Sequence, residues 1–206
     1  MLLDLPLRSP LQTLLIAGCG AGLLLAGLRH LGPQRHFGPA NQVTLLRGVL
    51  VALLAGEICV APDARRVLVA TLLAAVAVLL DGVDGWLARR LHGETAYGAR
   101  FDMETDAVLV LVLSVLAWQL QKAAAWVLVS GLLRYGFVLA GLLWPRLARS
   151  LPRSTRRRLI AALQMVLLIA ALSPLLPRPY SDCAAGLAVV TLLASFGIDV
   201  RTLCRR

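Results

Sequence analysis

The sequence predicts an all-α integral membrane protein, and two observations carry this prediction. Of its 206 residues, 59% are hydrophobic, whereas ordinary globular domains are about 45–50% apolar. The chain also divides into apolar runs, each close to the ~20 residues that a helix needs to cross a bilayer. These runs lie at residues 11–28, 42–61, 67–88, 106–121, 123–144, 159–176 and 183–200. Together they occupy almost the whole chain and leave little room for a soluble domain.

The first apolar run is set apart from the others. It is followed by RHLGPQRHFGPA, whose glycines and prolines predict a surface loop. The stretch LIAGC, which ends at Cys19, resembles a lipoprotein cleavage box, but apolar residues continue beyond it and favour an uncleaved membrane helix. We therefore assign residues 1–37 to an additional N-terminal hydrophobic helix and its loop.

The six later runs predict a six-helix transmembrane core bundle over residues 38–206. The connections between them are short, and one of them is a tight turn at Gln121 and Lys122. No connection is long enough to act as a linker between domains, and the sequence contains no internal repeat. We therefore expect one compact bundle.

The positive charges predict how this bundle is oriented. The chain has 21 Lys+Arg against 11 Asp+Glu, a net charge of +10. With the N-terminus outside, 15 of the 21 cations, Arg47 among them, fall on one side, which the positive-inside rule makes cytoplasmic. Because the cations are sorted by loop and are not gathered on one solvated face, the sequence predicts contact with anionic lipid headgroups. The same distribution argues against a nucleic-acid partner. Arginine outnumbers lysine twenty to one, which favours a prokaryotic protein. Because the sequence shows no periplasmic or organelle-targeting domain, we expect it in the inner (plasma) membrane.

Four aspartates border the second and third core runs, although charge at membrane depth is costly and therefore indicates a functional site. Asp81 and Asp84 are three residues apart and share one face of a helix. Gly98, Asp102 and Asp106 are four residues apart and form one stripe on the next helix. The two carboxylate pairs are thus expected to face each other across a helix hairpin.

Four converging carboxylates would repel one another unless cations lie between them. Mg²⁺ and Mn²⁺ are the usual choice where carboxylates and phosphates share the coordination. Gly85 and Gly98 leave room for a ligand to approach the backbone, and Arg89 offers a guanidinium to a phosphate. The residues therefore predict a pocket for a metal-bound diphosphate. A simpler interpretation is that Asp–Arg pairs satisfy one another beside a turn.

The spacing of these residues resembles a family signature. The eight fixed positions, which span 26 residues, are Asp81-x-x-Asp84-Gly85-x-x-Ala88-Arg89, then eight residues, then Gly98-x-x-x-Asp102-x-x-x-Asp106. This pattern is similar at every fixed position to the signature of the CDP-alcohol phosphotransferase family. Upstream, Asn41-x-x-Thr44-x-x-Arg47 resembles the start of the first core helix in that family. The resemblance covers about residues 38–203.

The resemblance implies an activity. Family members transfer a substituted phosphate from a CDP-linked donor, commonly CDP-diacylglycerol, to an alcohol and release CMP during phospholipid biosynthesis. It implies a two-metal centre on Asp81, Asp84 and Asp102, with Asp106 as the base for the acceptor hydroxyl and as a further metal ligand. The implied CDP-binding residues are Gly85, Ala88, Arg89, Gly98, Asn41 and Thr44. The resemblance also implies a homodimer.

The acceptor alcohol is indicated only by scattered arginines. Arg134 lies within the fourth core helix, where a charge must face the bundle interior or a wet cavity. Arg153 and Arg156 belong to the basic loop before the fifth core helix, where they also fit ordinary positive-inside topology. Together they favour glycerol 3-phosphate or another phosphorylated polyol. FDMETDAVLVL departs from the LDPxADK pattern that we associate with phosphatidylglycerophosphate synthases, so inositol, serine, choline and phosphatidylglycerol stay open.

Two other classes use intramembrane carboxylates. Membrane prenyltransferases hold a magnesium diphosphate on aspartate-rich motifs, but those motifs generally lie far apart in the chain, whereas both pairs here lie within 26 residues. Small transporters often show repeated halves with broken helices, and this sequence has no repeat. A transporter would also leave Gly85, Arg89 and Gly98 without a role. The transferase interpretation accounts for all of these residues.

Overall fold

The computed structural model describes residues 38–58, 60–90, 95–144 and 154–204, and over these residues the chain is helical, with no strand among them. The elements are α1 (Pro39–Gly56), α2 (Ala64–Arg90), α3 (Ala96–Gln119), a 3-10 turn (Ala125–Val127), α4 (Leu128–Leu143), α5 (Thr155–Leu172) and α6 (Tyr180–Cys204). They confirm the all-α prediction and match the six core runs. The expected helix at residues 11–28 lies outside the described residues.

Three helices in the described part of the chain are long and apolar enough to cross a membrane. By length and composition they are Pro39–Gly56, Ala64–Leu87 and Tyr180–Leu203. Their exposed positions include large apolar side chains such as Leu46, Leu72 and Val190. Exposed apolar surface of this kind suits contact with lipid. That any of the other helices also spans the membrane stays a prediction.

The chain divides into two compact units, residues 1–112 and 113–206, with the boundary inside α3. In the first unit α1 packs against α2. Proline at the first helical position suits the start of α1, because its missing N–H would have no helical partner there. On α2, Ala70, Ala74 and Ala77 follow one helical stripe and are buried. Their small side chains allow another helix to approach closely.

The end of α3 forms the tight turn that the sequence predicts. Gln121 has a left-handed φ of 56°. The Lys122 N–H donates to the Ala117 carbonyl at 2.9 Å, and the Gln121 N–H donates to the Trp118 carbonyl at 3.0 Å. This pair of hydrogen bonds satisfies the last carbonyls of the helix in the Schellman pattern. The turn therefore ends α3 through its backbone, without a glycine.

In the second unit, the Lys122 side chain links two connecting segments. In this unit α5 packs against α6. The Lys122 ammonium donates to the Ser173 and Leu176 carbonyls, each at 2.9 Å. The Ser181 hydroxyl donates in turn to the Lys122 carbonyl at 2.8 Å. A cation at the C-terminal end of α5 also suits the helix dipole. Lys122 thereby joins the turn after α3 to the connection between α5 and α6.

Candidate active site

One face of α1 is polar and buried. Asn41, Thr44 and Arg47 are three residues apart, so they lie on the same side of the helix. Their exposed fractions are 8%, 3% and 0%. Leu46 and Val49, elsewhere on the same helix, are exposed. Helix α1 therefore directs its polar residues into the first unit, as expected for a membrane helix that carries functional groups.

The Arg47 guanidinium lies at the centre of the four signature aspartates. Its Nη1 contacts Asp81 Oδ1 at 2.9 Å, Asp84 Oδ2 at 3.0 Å and Asp102 Oδ1 at 2.5 Å. Its Nη2 donates to Asp106 Oδ1. The carboxylate pairs of α2 and α3 therefore converge on one guanidinium. We call this group of four aspartates and Arg47 the aspartate cluster.

The sequence counted Arg47 among the cations that set membrane orientation, and the structure shows in addition that it is the buried partner of the four aspartates. Arg47 is fully buried in α1, and its Nε also donates to the Ala77 carbonyl of α2 at 3.2 Å. A buried arginine in a membrane helix requires counter-charges, which here are the aspartates. The spacing from Asn41 through Thr44 to Arg47 was the signal, because it puts Arg47 on the same face as two other polar residues.

The four aspartates differ in exposure. The Asp84 side chain is 6% exposed, and its Oδ2 accepts a hydrogen bond from the Thr44 hydroxyl at 3.0 Å. The side chains of Asp81, Asp102 and Asp106 are 36%, 39% and 28% exposed. Each of these three offers a carboxylate oxygen, and the three oxygens lie within 4.8 Å of one another. Asp84 thus forms the buried base of the cluster, and the other three form its open side.

The donor set of the cluster fits a divalent cation. Carboxylate oxygens are the hard ligands that Mg²⁺ and Mn²⁺ prefer. Arg47 contacts one oxygen of each aspartate, so each carboxylate keeps a second oxygen for another partner. With all four carboxylates ionised, one guanidinium leaves three negative charges uncompensated within the cluster. The excess favours further cations at this place.

Gly98 is held at the first turn of α3. The Gly98 N–H donates to the Thr95 hydroxyl oxygen at 2.9 Å, so Thr95 caps the helix. A Cβ added to Gly98 would lie 2.6 Å from Asn41 Oδ1 and 3.0 Å from Thr95 Oγ1. Within the described residues, the Asn41 side chain therefore occupies the space that the absent Gly98 side chain leaves.

The other residues that the sequence predicts to bind the nucleotide lie on the last turns of α2. Gly85 directly follows Asp84 and is half-buried. Ala88 and Arg89 continue the same helix, but their side chains are outside what the structure describes. Next to them, Arg90 stacks over the Trp86 ring at 4.9 Å. On α3, Glu104 is exposed, whereas Asp102 and Asp106 contact Arg47.

The arginines expected to bind the acceptor belong to the second unit. Arg134 is half-buried in α4, and Arg153 lies outside the described residues. Arg156, in the first turn of α5, donates to Asp199 Oδ1 at 2.5 Å and to the Ser195 carbonyl at 3.2 Å. Asp199, on α6, is 8% exposed. Arg156 is thus held by a buried acid 43 residues away, a contact without a local sequence signal.

Comparison with known proteins gives one match. The sequence model of the CDP-alcohol phosphatidyltransferase family matches residues 37–197. No curated protein and no solved structure matches the chain. The matched range begins just before α1, contains the whole aspartate cluster and extends into α6. The chain therefore belongs to the CDP-alcohol phosphatidyltransferase family, integral membrane transferases that move a phosphatidyl-type group from a CDP-alcohol to an acceptor.

Proposed function

We propose that the protein transfers a phosphatidyl group from a CDP-linked lipid, such as CDP-diacylglycerol, to an alcohol and releases CMP. One observation carries this proposal. All four signature aspartates converge on the Arg47 guanidinium, and three of them could share one metal ion. The net negative charge of the cluster suits a divalent metal, and the metal suits a diphosphate donor.

Asp81, Asp84 and Asp102 would hold the metal ions, and Asp106 would complete the site. Bound Mg²⁺ or Mn²⁺ would supply charge neutralisation for the diphosphate and for the CMP leaving group. We assign the proton transfer to Asp106 Oδ2, because Oδ1 is the oxygen that Arg47 contacts. This oxygen accepts the hydroxyl proton as the acceptor oxygen bonds to the donor phosphorus and the bond from phosphorus to CMP breaks.

We assign the CDP site to Gly85, Ala88, Arg89 and Gly98, with Asn41 and Thr44 shaping it from α1. Two contacts support the roles of the α1 residues. The Thr44 hydroxyl donates to Asp84, and Asn41 fills the space beside Gly98. Both residues therefore connect α1 to the elements that carry the signature. Arg89 would provide the positive charge for a phosphate of the donor.

For the acceptor we propose glycerol 3-phosphate or another phosphorylated polyol, bound by Arg134, Arg153 and Arg156. A guanidinium is suited to bidentate contact with a phosphate. Arg156 is already oriented by Asp199 and Ser195, so it would present a fixed rather than a mobile charge. Inositol, serine, choline and phosphatidylglycerol are the alternative acceptors. The enzyme would act as a homodimer in a prokaryotic inner membrane, with the site facing the cytoplasm.

A panel of acceptors tests the proposal. Purified protein with Mn²⁺ and CDP-diacylglycerol is supplied with each acceptor in turn, and CMP is measured. We expect CMP with glycerol 3-phosphate or inositol phosphate and little with serine, choline or unphosphorylated inositol. CMP release only with inositol, serine, choline or phosphatidylglycerol would contradict the acceptor assignment while keeping the reaction. Pyrophosphate release from a prenyl diphosphate, without CMP from any acceptor, would instead support a prenyltransferase.

A further inference from the structure

We infer that Arg47 is a positioning residue that holds the four aspartates together before metal binds and yields part of its contacts when metal arrives. The inference rests on the proposed function, because it concerns the metal site of that reaction. It assigns to α1 a role that the aspartate signature on α2 and α3 does not contain. In this view Arg47 is a built-in counter-cation for the metal-free site.

The geometry indicates that Arg47 serves all four carboxylates and does not form a pair with one of them. One guanidinium contacts all four carboxylates: Asp81, Asp84, Asp102 and Asp106. Arg47 has no exposed surface, and its Nε is fixed to the Ala77 carbonyl at 3.2 Å. The planar fork of an arginine allows several carboxylates to be reached at once, which a lysine ammonium does less well. Arg47 therefore acts on the whole cluster from a fixed position.

The charges of the cluster explain why Arg47 alone is incomplete. One guanidinium against four ionised carboxylates leaves a net charge of about −3. One divalent ion would leave about −1, and two would leave about +1. A slightly positive site would attract the anionic diphosphate donor. Without Arg47, two ions would only neutralise the cluster, and this attraction would be lost.

A purely structural arginine would be matched to its acids, and the first unit offers such a case. Arg66 donates to Glu57 at 3.3 Å, and both side chains are partly exposed, at 28% and 25%. Arg47 differs because it is fully buried and outnumbered by its acids. With all four aspartates ionised, this mismatch leaves the cluster short of positive charge, which further cations would supply. Arg66 is therefore the matched control for Arg47.

The test compares the effect of Mn²⁺ on thermal unfolding in four proteins: wild type, Arg47→Met, Arg47→Lys and the control Arg66→Met. Each full-length protein is unfolded in detergent with a chelator and again with saturating Mn²⁺. Bound Mn²⁺ is counted in parallel from the electron paramagnetic resonance signal of the free ion. These readouts do not require turnover, so they are separate from the CMP assay of the proposed function.

We expect metal-free Arg47→Met to be less stable than wild type, with Mn²⁺ restoring much of the loss because the ions replace the missing counter-charge. The rise in melting temperature on adding Mn²⁺ should exceed the wild-type rise by about 5 °C or more, given the cost of an uncompensated buried charge. Arg47→Lys keeps a charge and should show an intermediate rise, which covers the case in which Arg47→Met does not fold. Arg66→Met should show the wild-type rise.

Two outcomes would overturn the inference. Equal Mn²⁺-induced rises in wild type and in the folded Arg47 variants would mean that Arg47 is structural only. If wild type does not bind Mn²⁺, there is no metal site for Arg47 to hold together, and the inference fails. The CMP assay distinguishes these results from failure of the proposed function, because a wild type that binds Mn²⁺ without releasing CMP would refute the transferase proposal alone.

Discussion

Replacing Gly98 with alanine tests how tightly α1 and α3 fit at the aspartate cluster. The added Cβ would lie 2.6 Å from Asn41 Oδ1, whereas ordinary contact begins at 3.4 Å, so the Asn41 oxygen must retreat by about 0.8 Å. Asn41 is 8% exposed and shares its helix face with Thr44 and Arg47, so it has little room to move. We expect the displacement of Asn41 to shift α1, and with it Thr44 and Arg47, relative to the aspartates.

The magnitudes predict a loss of activity rather than of folding. Overpacking a buried contact costs about 1–3 kcal/mol, and alanine returns up to ~1 kcal/mol of helix propensity relative to glycine. The net loss of stability should therefore be about 0–2 kcal/mol. A displacement approaching 1 Å at reacting groups can cost on the order of 100-fold in rate, so we expect CMP release to fall by about 10- to 100-fold.

The assay measures CMP release and the melting temperature of Gly98→Ala beside Gly82→Ala. Gly82 is the control because a Cβ there meets nothing within 4 Å, although Gly82 also lies in a helix of the first unit. Gly82→Ala should keep its activity and gain up to ~1 kcal/mol of stability from helix propensity. Full activity in Gly98→Ala would refute the argument that the space beside Gly98 is already filled. Equal losses in both variants would refute it as well.

Three further predictions follow from single contacts. Asp102→Asn should reduce CMP release by about 100-fold or more and weaken Mn²⁺ binding. Glu104 is exposed, so Glu104→Gln should change neither quantity by more than about twofold. Equal losses in the two variants would contradict the assigned helix face. Lys122→Met should lower the free energy of unfolding by about 2 kcal/mol through two lost charged hydrogen bonds, measured by thermal unfolding in detergent, and an unchanged melting temperature would contradict this. Arg156→Gln should raise KM for a phosphorylated acceptor about 10-fold with kcat unchanged. Asp199→Asn, whose amide oxygen can still accept a hydrogen bond from Arg156, should raise KM by less, and equal effects would make Arg156 only structural.

The parts of the site that sequence spacing could predict are those set by helical periodicity. Asp81 with Asp84, and Asp102 with Asp106, share faces because residues three and four apart do so in any helix. Their convergence was expected from the short stretch of sequence between the two helices. The end of α3 was also readable from the turn at Gln121 and Lys122, whereas its start at Ala96 lies well before the apolar run predicted at residues 106–121.

The centre of the cluster was not predicted because it depends on a third helix. Arg47 lies near one end of an apolar run, where an arginine usually indicates topology. Only its 0% exposure and its contacts with α2 and α3 show that it serves the aspartates. The Asn41 contact beside Gly98 likewise depends on how α1 packs. The spacing of Asn41, Thr44 and Arg47 indicates a polar face on α1, but it does not indicate which helices that face contacts.

The central claim is tested most directly by the stoichiometry of the reaction. Wild type and Asp106→Asn are incubated with Mn²⁺, CDP-diacylglycerol and the best acceptor of the panel, and CMP and the new phospholipid are both quantified. We predict equal amounts of CMP and product from wild type, none after chelation of the metal, and none from Asp106→Asn. CMP without the matching phospholipid, or full activity in Asp106→Asn, would contradict the account.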